Sequence, residues 1–404
     1  MSRPLRVMLV AAEASGDALG AGLARALKAR LAGGVDLVGV GGDQMAAEGV
    51  ESPFPIAELS ILGIFDGVAA YPRVLRRADE TAALAEKTRP DVAVLIDSWG
   101  FTLRVAQRLR RRLPELPIVK YVGPQVWASR PGRAKTLAGA VDLLLSIHVF
   151  DAPHFEAHGL KTVFVGNPAL ARRSGGDPIR FRARIGAGPD TPILLVLPGS
   201  RPSEIARVLS PFAEAANRLA AERPGLKLVI PVAATVGGAV REAVQSWRFP
   251  PWLIEDEAGK ADAMAAGTVA LACSGTVTTE LALAGCPMVV GYRVGPLTAL
   301  VLRRLVRTRW ITLFNIAAGE TVAPELIQEA CNGPALAAQV ARLLDDPSLR
   351  AAQSAAQTAA LAKMGRAAGD PSANAADAVI ALLKDRGELL PPWGRGTAEG
   401  GGGG

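Results

Sequence analysis

Along the chain, short apolar runs alternate with longer stretches in which apolar residues recur every three or four positions. The short runs fall at 5–11, 36–41, 92–96, 118–122, 143–147 and 162–165, then at 193–197, 227–232, 269–273 and 287–292. Runs of this length bounded by turn residues predict strands covered on both faces. Between them the 3.6-residue pattern predicts helices, including one over about 19–31 and one starting near Thr102. Residues 56–77 are amphipathic, but Gly67 and Pro72 argue against one long helix there. Residues 310–324 show no period and are read as irregular, and 335–385 are Ala-rich helix. Strand and helix in alternation give an α/β chain built on parallel sheets.

The 404 residues exceed what one core accommodates. The sequence turns to Arg, Gly, Pro and Ser between about 167 and 191, which predicts a linker. The expected division is an N-terminal domain over 1–170, a second over 171–345, C-terminal helices over 346–388 and a flexible tail over 389–404.

Chemistry enters where strands run into helices. After the run 269–273 comes Ser274-Gly275-Thr276, then a helical pattern carrying Glu280. Small residues at a helix start leave N–H groups for an anion, and a carboxylate one turn on suits the vicinal hydroxyls of a ribose. The same residues could equally cap the helix and face solvent. Pro198-Gly199-Ser200-Arg201 repeats the design with a cation able to hold a phosphate. Glu13-Ala14-Ser15-Gly16-Asp17 follows the first strand, and Asp97 ends the all-apolar run 92–96. A carboxylate at such a strand end is either a catalytic base or a helix cap. Neither a GxGxxG spacing nor a Walker A sequence is present.

The net charge of +7 fits an anionic small substrate, an anionic membrane face or nucleic acid. Arg clusters without aromatic interleaving or a nucleic-acid motif make specific nucleic-acid binding the weakest of these. Cys273, Cys286 and Cys331 form no CxxC and read as buried thiols of a reducing compartment. His154 and His158 are spaced i, i+4, but nothing nearby completes a metal site, so no metal is expected. The first apolar run ends early in Glu13 and Asp17, which predicts a strand and not a signal peptide, and no run is long enough to span a bilayer. A cytoplasmic protein is expected. In 56–77 the apolar residues Ile61, Leu62, Ile64, Phe65, Val68 and Leu75 stand beside Arg73, Arg76 and Arg77. That arrangement suits either a core-facing helix or an anionic membrane surface.

Six segments together carry a family resemblance: EASGD, the strand ending in Asp97, YVGPQVWASRPGR, LPGSRPSEI, SGTVTTELALAGCPMVVGYR and NIAAGETVAPELIQ. In this order they resemble the lipid A disaccharide synthases, glycosyltransferase family 19, from about Val7 to Gln328. The resemblance implies a GT-B fold, two Rossmann-like domains with the active site in the crevice between them. It implies an inverting hexosyltransferase without a cofactor or catalytic metal. The sugar of UDP-2,3-diacylglucosamine would pass to 2,3-diacylglucosamine 1-phosphate, giving the β-1,6 disaccharide phosphate and UDP. Asp97 matches the family's proposed base. Ser200, Arg201, Ser274, Gly275, Thr276, Glu280 and Asn315 fall on the nucleotide site, while Glu13, Ser15 and Asp17 would orient sugar or fix their turn. Peripheral attachment to the inner membrane's cytoplasmic face is also implied, which favours membrane contact by 56–77, and so is a possible homodimer.

The sequence departs from the family in four places. Ser98-Trp99-Gly100 replaces a proline-containing SPDF or APDF, and Gly166-Asn167-Pro168 replaces a Gly-His pair. Ser129 stands where Trp is common, and Phe314 stands where Pro is common. Three of the four lie in the acceptor half, so they bear on the acceptor more than on UDP. The alternative reading is another GT-B enzyme of UDP-sugars, a lipid-linked glycan transferase or a UDP-sugar epimerase.

Overall fold

The computed structural model describes residues 3–59, 64–171, 175–295, 299, 308–366 and 369–387, with the backbone alone for 64–70 and 171. Two compact units emerge, one from the first 168 residues plus the chain after 367, the other from Ala169–Ala367.

The first unit holds a parallel sheet of β1 (Leu5–Val10), β2 (Val35–Val40), β3 (Val92–Ile96), β4 (Ile118–Tyr121), β5 (Leu143–Ser146) and β6 (Lys161–Phe164), in the order β2-β1-β3-β4-β5-β6. Every residue of β3 is buried, because helices cover both faces. Burial of each such Val, Leu or Ile contributes roughly 1.5–3 kcal/mol. β1 pairs with β2 on one side and β3 on the other, so the chain reverses its direction of winding between β1 and β3. Open parallel sheets bind ligands at such a point, beyond the strands' C-terminal ends.

The second unit repeats the plan with β7 (Ile193–Leu197), β8 (Lys227–Pro231), β9 (Trp252–Ile254), β10 (Val269–Cys273), β11 (Met288–Tyr292) and β12 (Glu325–Ile327). Their order is β12-β11-β10-β7-β8-β9, which puts the reversal between β7 and β10. β9 and β12, of three residues each, are too short to carry a pattern the sequence could show.

The C-terminal helices divide between the units. Pro347–Lys363 belongs to the second, where Gln353 accepts from the Met288 N–H at 2.6 Å. Pro371–Asp385 packs on the first, burying Ala375, Val379 and Leu383 in one core with Leu23 and Leu27 of the helix Ala14–Arg30. The approach is close: a Cβ on Gly22 would lie 2.5 Å from the Ser372 hydroxyl. Arg30 and Asp377 add an exposed ion pair at 2.7 Å.

Two sequence expectations change. Ile64–Thr88 is one helix of 25 residues with Pro72 inside it. Pro72 is exposed, and the helix is anchored beyond it by Val74, Ala78, Ala82 and Ala85 in the core. Within 310–324, Leu313–Ala318 is helical and ends on Gly319 at φ 75°, a left-handed stop that glycine adopts without strain.

Candidate active site

In the first unit the reversal point is flanked by the turn after β1 and the turn after β3. A Cβ on Gly16 would lie 3.3 Å from Ala11 and 3.7 Å from the Ile96 carbonyl, so the two turns are adjacent. Asp97 and Ser98 both take left-handed backbone, at φ 48° and 39°. Neither is glycine, so the turn is strained and needs fixing from outside. The Asp97 N–H donates to the Tyr121 carbonyl at 2.8 Å. The Thr102 hydroxyl donates to the Asp97 carbonyl at 2.7 Å, with the Ser98 carbonyl at 3.1 Å. Lys120, on β4, donates from its ammonium to the same Asp97 carbonyl and to the Thr102 hydroxyl, the latter at 2.8 Å. Apart from the bond from Lys120 to the Thr102 hydroxyl, these bonds engage main chain. Among the described residues none engages the half-buried Asp97 carboxylate.

The other acidic residues separate by burial. Glu13 and Ser15 are exposed at the start of the helix Ala14–Arg30, which carries no side-chain cap. Asp17 is buried and accepts from the N–H groups of Gly42 (2.7 Å), Gln44 (3.0 Å) and Met45 (3.0 Å). A carboxylate committed to three main-chain donors fixes the loop after β2, which leaves Glu13 and Ser15 as the members that can face a sugar.

Beyond β4 and β5 lies a cluster that sequence reasoning missed. The Trp127 indole donates to Asp151 at 2.9 Å and the Ser146 hydroxyl donates to its other oxygen at 2.8 Å. His148 stacks on Phe150 with ring centroids 5.2 Å apart. Burial holds Asp151 above the usual carboxylate range and His148 below the usual imidazole range. The cluster anchors the loop that leads to Arg130 and Arg133. Arg133 lies over the Trp99 ring at 5.2 Å, and burial together with Arg130 lowers its pKa. Among the described residues neither arginine pairs with a carboxylate, whereas Arg108 and Arg112 pair with Asp79, and Arg110 with Asp142. His154 and His158 are exposed.

In the second unit the turns after β7 and β10 flank the reversal. Gly199 sits at φ 115°, where a Cβ would come within 2.5 Å of Glu204. The buried Glu204 accepts from the N–H groups of Ser200 (3.0 Å) and Arg201 (3.2 Å), and from the Arg201 guanidinium at 2.8 Å. The main-chain donors expected to meet a phosphate here are therefore taken by the protein. What remains is the Ser200 hydroxyl and the outer part of Arg201, whose side chain is 74% exposed.

The turn after β10 is different. Ser274 is half-buried, Gly275 and Thr276 are exposed, and the helix Thr276–Leu283 has no side-chain cap. Glu280 is exposed one turn on, and among the described residues nothing pairs with its carboxylate. Asn315 is fully buried, with its amide spent. It donates to the Ala323 carbonyl (2.9 Å) and Glu325 (2.8 Å) and accepts from the N–H groups of Val322 (2.8 Å) and Ala323 (3.0 Å). These bonds tie Asn315 to residues 322–325 and use all four hydrogen-bonding positions of its side-chain amide. Glu325, which also accepts from the Ile311 and Thr312 N–H groups at 2.9 and 3.0 Å, completes that clamp.

Of the residues expected to touch a membrane, Ile61 and Leu62 lie outside the described residues. Ile64, Phe65 and Val68 fall on the first turns of the helix Ile64–Thr88, and Leu75 is half-buried. Arg77 is held by Glu58 at 2.6 Å and Glu80 at 2.5 Å, while Arg73 and Arg76 are exposed. Among the described residues no helix is long and apolar enough to cross a membrane.

Comparison with known proteins extends this geometry. A family model for lipid-A-disaccharide synthetase matches residues 7–379. The lipid-A-disaccharide synthase of Paramagnetospirillum magneticum is 44% identical over 381 residues, 94% of this chain and 97% of that protein. The one from Rhodospirillum centenum is 42% identical over 385 residues, 95% and 96% of the two chains. Among solved structures, the S. aureus MnaA–UDP co-structure overlays with a TM-score of 0.60 at 14% identity, covering 95% of this chain and 98% of that one. The glycotransferase of kitacinnamycin overlays at 0.60 with 18% identity, covering 95% and 100%. The structural likenesses establish a GT-B fold. The family match across nearly the whole chain establishes more: this chain belongs to the lipid-A-disaccharide synthetase family, glycosyltransferases of lipid A biosynthesis that take a UDP-sugar donor and a lipid acceptor.

Proposed function

We propose that the protein transfers 2,3-diacylglucosamine from UDP-2,3-diacylglucosamine to the 6-hydroxyl of 2,3-diacylglucosamine 1-phosphate, with inversion. The observation that carries this reading is Asp97, a carboxylate with no protein partner among the described residues, at the reversal point of the first sheet. The acceptor hydroxyl loses its proton to Asp97 as its oxygen attacks C1 of the donor sugar and the bond from C1 to the UDP oxygen breaks. The leaving diphosphate gains charge in that step and needs donors already in place. The uncapped first turn of Thr276–Leu283, the Ser274 hydroxyl and the outward guanidinium of Arg201 are suited to supply them. Glu280 accepts from the ribose hydroxyls.

On the acceptor side, Glu13 and Ser15 orient the sugar, and Arg130 and Arg133 form a cationic pair suited to the 1-phosphate. The segment 56–77, with Arg73 and Arg76 exposed, rests on the anionic inner-membrane surface from which both acylated substrates are drawn.

The test is direct incubation of the purified protein with both substrates in EDTA, read by mass spectrometry. A tetra-acylated disaccharide phosphate plus UDP is expected. UDP release without the disaccharide would mean a different acceptor, and no product at any chain length would overturn the reading.

A further inference from the structure

Lys120 is a charged residue in the middle of an apolar sheet. Its cross-strand neighbours are Leu95 on β3 and Leu144 on β5, and only 2% of its surface is exposed. A lone buried ammonium costs more than most interactions return, so its retention asks for a purpose. Its two acceptors are the Asp97 carbonyl and the Thr102 hydroxyl, and that hydroxyl itself donates to the Asp97 carbonyl. These contacts converge on the turn after β3, the one place among the described residues where two successive non-glycine residues are left-handed.

We propose that Lys120 is a positioning residue for Asp97: its buried ammonium, acting with Thr102, pins the left-handed Asp97–Ser98 turn and so fixes where the Asp97 carboxylate stands. The inference rests on Asp97 being the base. Lys120 touches only main chain and a hydroxyl, so it takes no proton from substrate. Its effect is geometric and electrostatic, and therefore falls on kcat more than on KM.

Burial pulls the Lys120 pKa down to about 7, against a smaller upward pull from Asp97. Asp97 is the charged group that acts on it. The helix Trp99–Arg112 brings only arginines, of which Arg108, Arg110 and Arg112 are paired elsewhere, and β5 brings leucine. Because the folded pKa lies below the unfolded one, the unfolded chain binds more protons between about 7 and 10.5. Stability therefore rises with pH through that window and is lost as pH falls toward 7.

The experiment compares wild type, Lys120→Met and Thr102→Val across pH 6–9 in rate, substrate KM and UDP affinity. Lys120→Met keeps the stem volume and removes the charge. The wild-type kcat should fall as pH rises through about 7, where the ammonium loses its proton. Below pH 7, where wild type carries the ammonium, the Met variant should lie roughly 10- to 100-fold lower in kcat, with both KM values and the UDP Kd within about threefold; it should show no bend, and the gap should narrow above pH 7. Thr102→Val should lower kcat by roughly tenfold while keeping the bend, and it tests the proposal if the Met variant does not fold. Lys120→Met should also unfold with less pH dependence above 7 than wild type. Wild-type kcat and an unchanged bend in folded Lys120→Met, or a loss confined to acceptor KM, would overturn the proposal. A wild type that makes no disaccharide would instead overturn the assigned reaction, which the same assay shows separately.

Discussion

Two turns of the second unit look alike in sequence and differ in what they leave open. Gly199-Ser200-Arg201 and Ser274-Gly275-Thr276 each end a buried strand and begin a helix, and both flank the same reversal of the sheet. The first is closed from within, since Glu204 takes its N–H groups and part of its arginine. The second has no side-chain cap. Helix-start donors are a standing cost unless something accepts from them. The first turn is thus a rigid mount for the Arg201 guanidinium, and the second keeps its main-chain donors free of side-chain caps, as the proposed anion site requires.

The contrast can be broken by giving the open turn its own cap. Gly275 has nearly extended backbone, φ 162°, and open space around a Cβ. Gly275→Asp should fold, gain only about 0.3 kcal/mol from the cap and lose UDP affinity by roughly 100-fold through like-charge exclusion. Calorimetric UDP titration beside thermal melting separates the two effects. The reverse operation opens the closed turn. Glu204→Ala leaves two main-chain donors without their acceptor and should cost about 1–2 kcal/mol, read as a lower urea midpoint. UDP affinity should fall less, about three- to tenfold, because Arg201 loses its mount and not its charge. The smallest effect belongs to Glu280→Gln, which keeps an acceptor for the ribose but removes its charge. Donor KM should rise about threefold with kcat unchanged.

The sheets were legible because continuous apolar runs such as 92–96 can only be buried on both faces, and the residues that end them mark the strand ends where ligands bind. Asp97 and the turn 274–276 were readable for that reason. The partners of Asp17, Glu204 and Asn315 were not, because whether a polar side chain meets a ligand or a neighbouring N–H depends on how loops fold back: Gly42–Met45, distant in sequence, for Asp17, and the irregular Val322–Ala323 for Asn315. Glu204 stood in a quoted motif but signalled only its helix start. Lys120 is a charge inside the run 118–122, as Arg6 is inside 5–11, and nothing local shows its partners. Pro72 misled because a proline is tolerated in a helix when it faces solvent and the helix is anchored further on.

The most direct measurement joins both units in one variant. Asp97→Asn keeps the size of the side chain and removes the basic oxygen, so transfer and UDP binding are measured on the same preparation. Transfer should fall by roughly 100-fold to 10,000-fold, with the UDP Kd unchanged within about twofold. A variant that still makes disaccharide near the wild-type rate would contradict the assignment of Asp97 as the base.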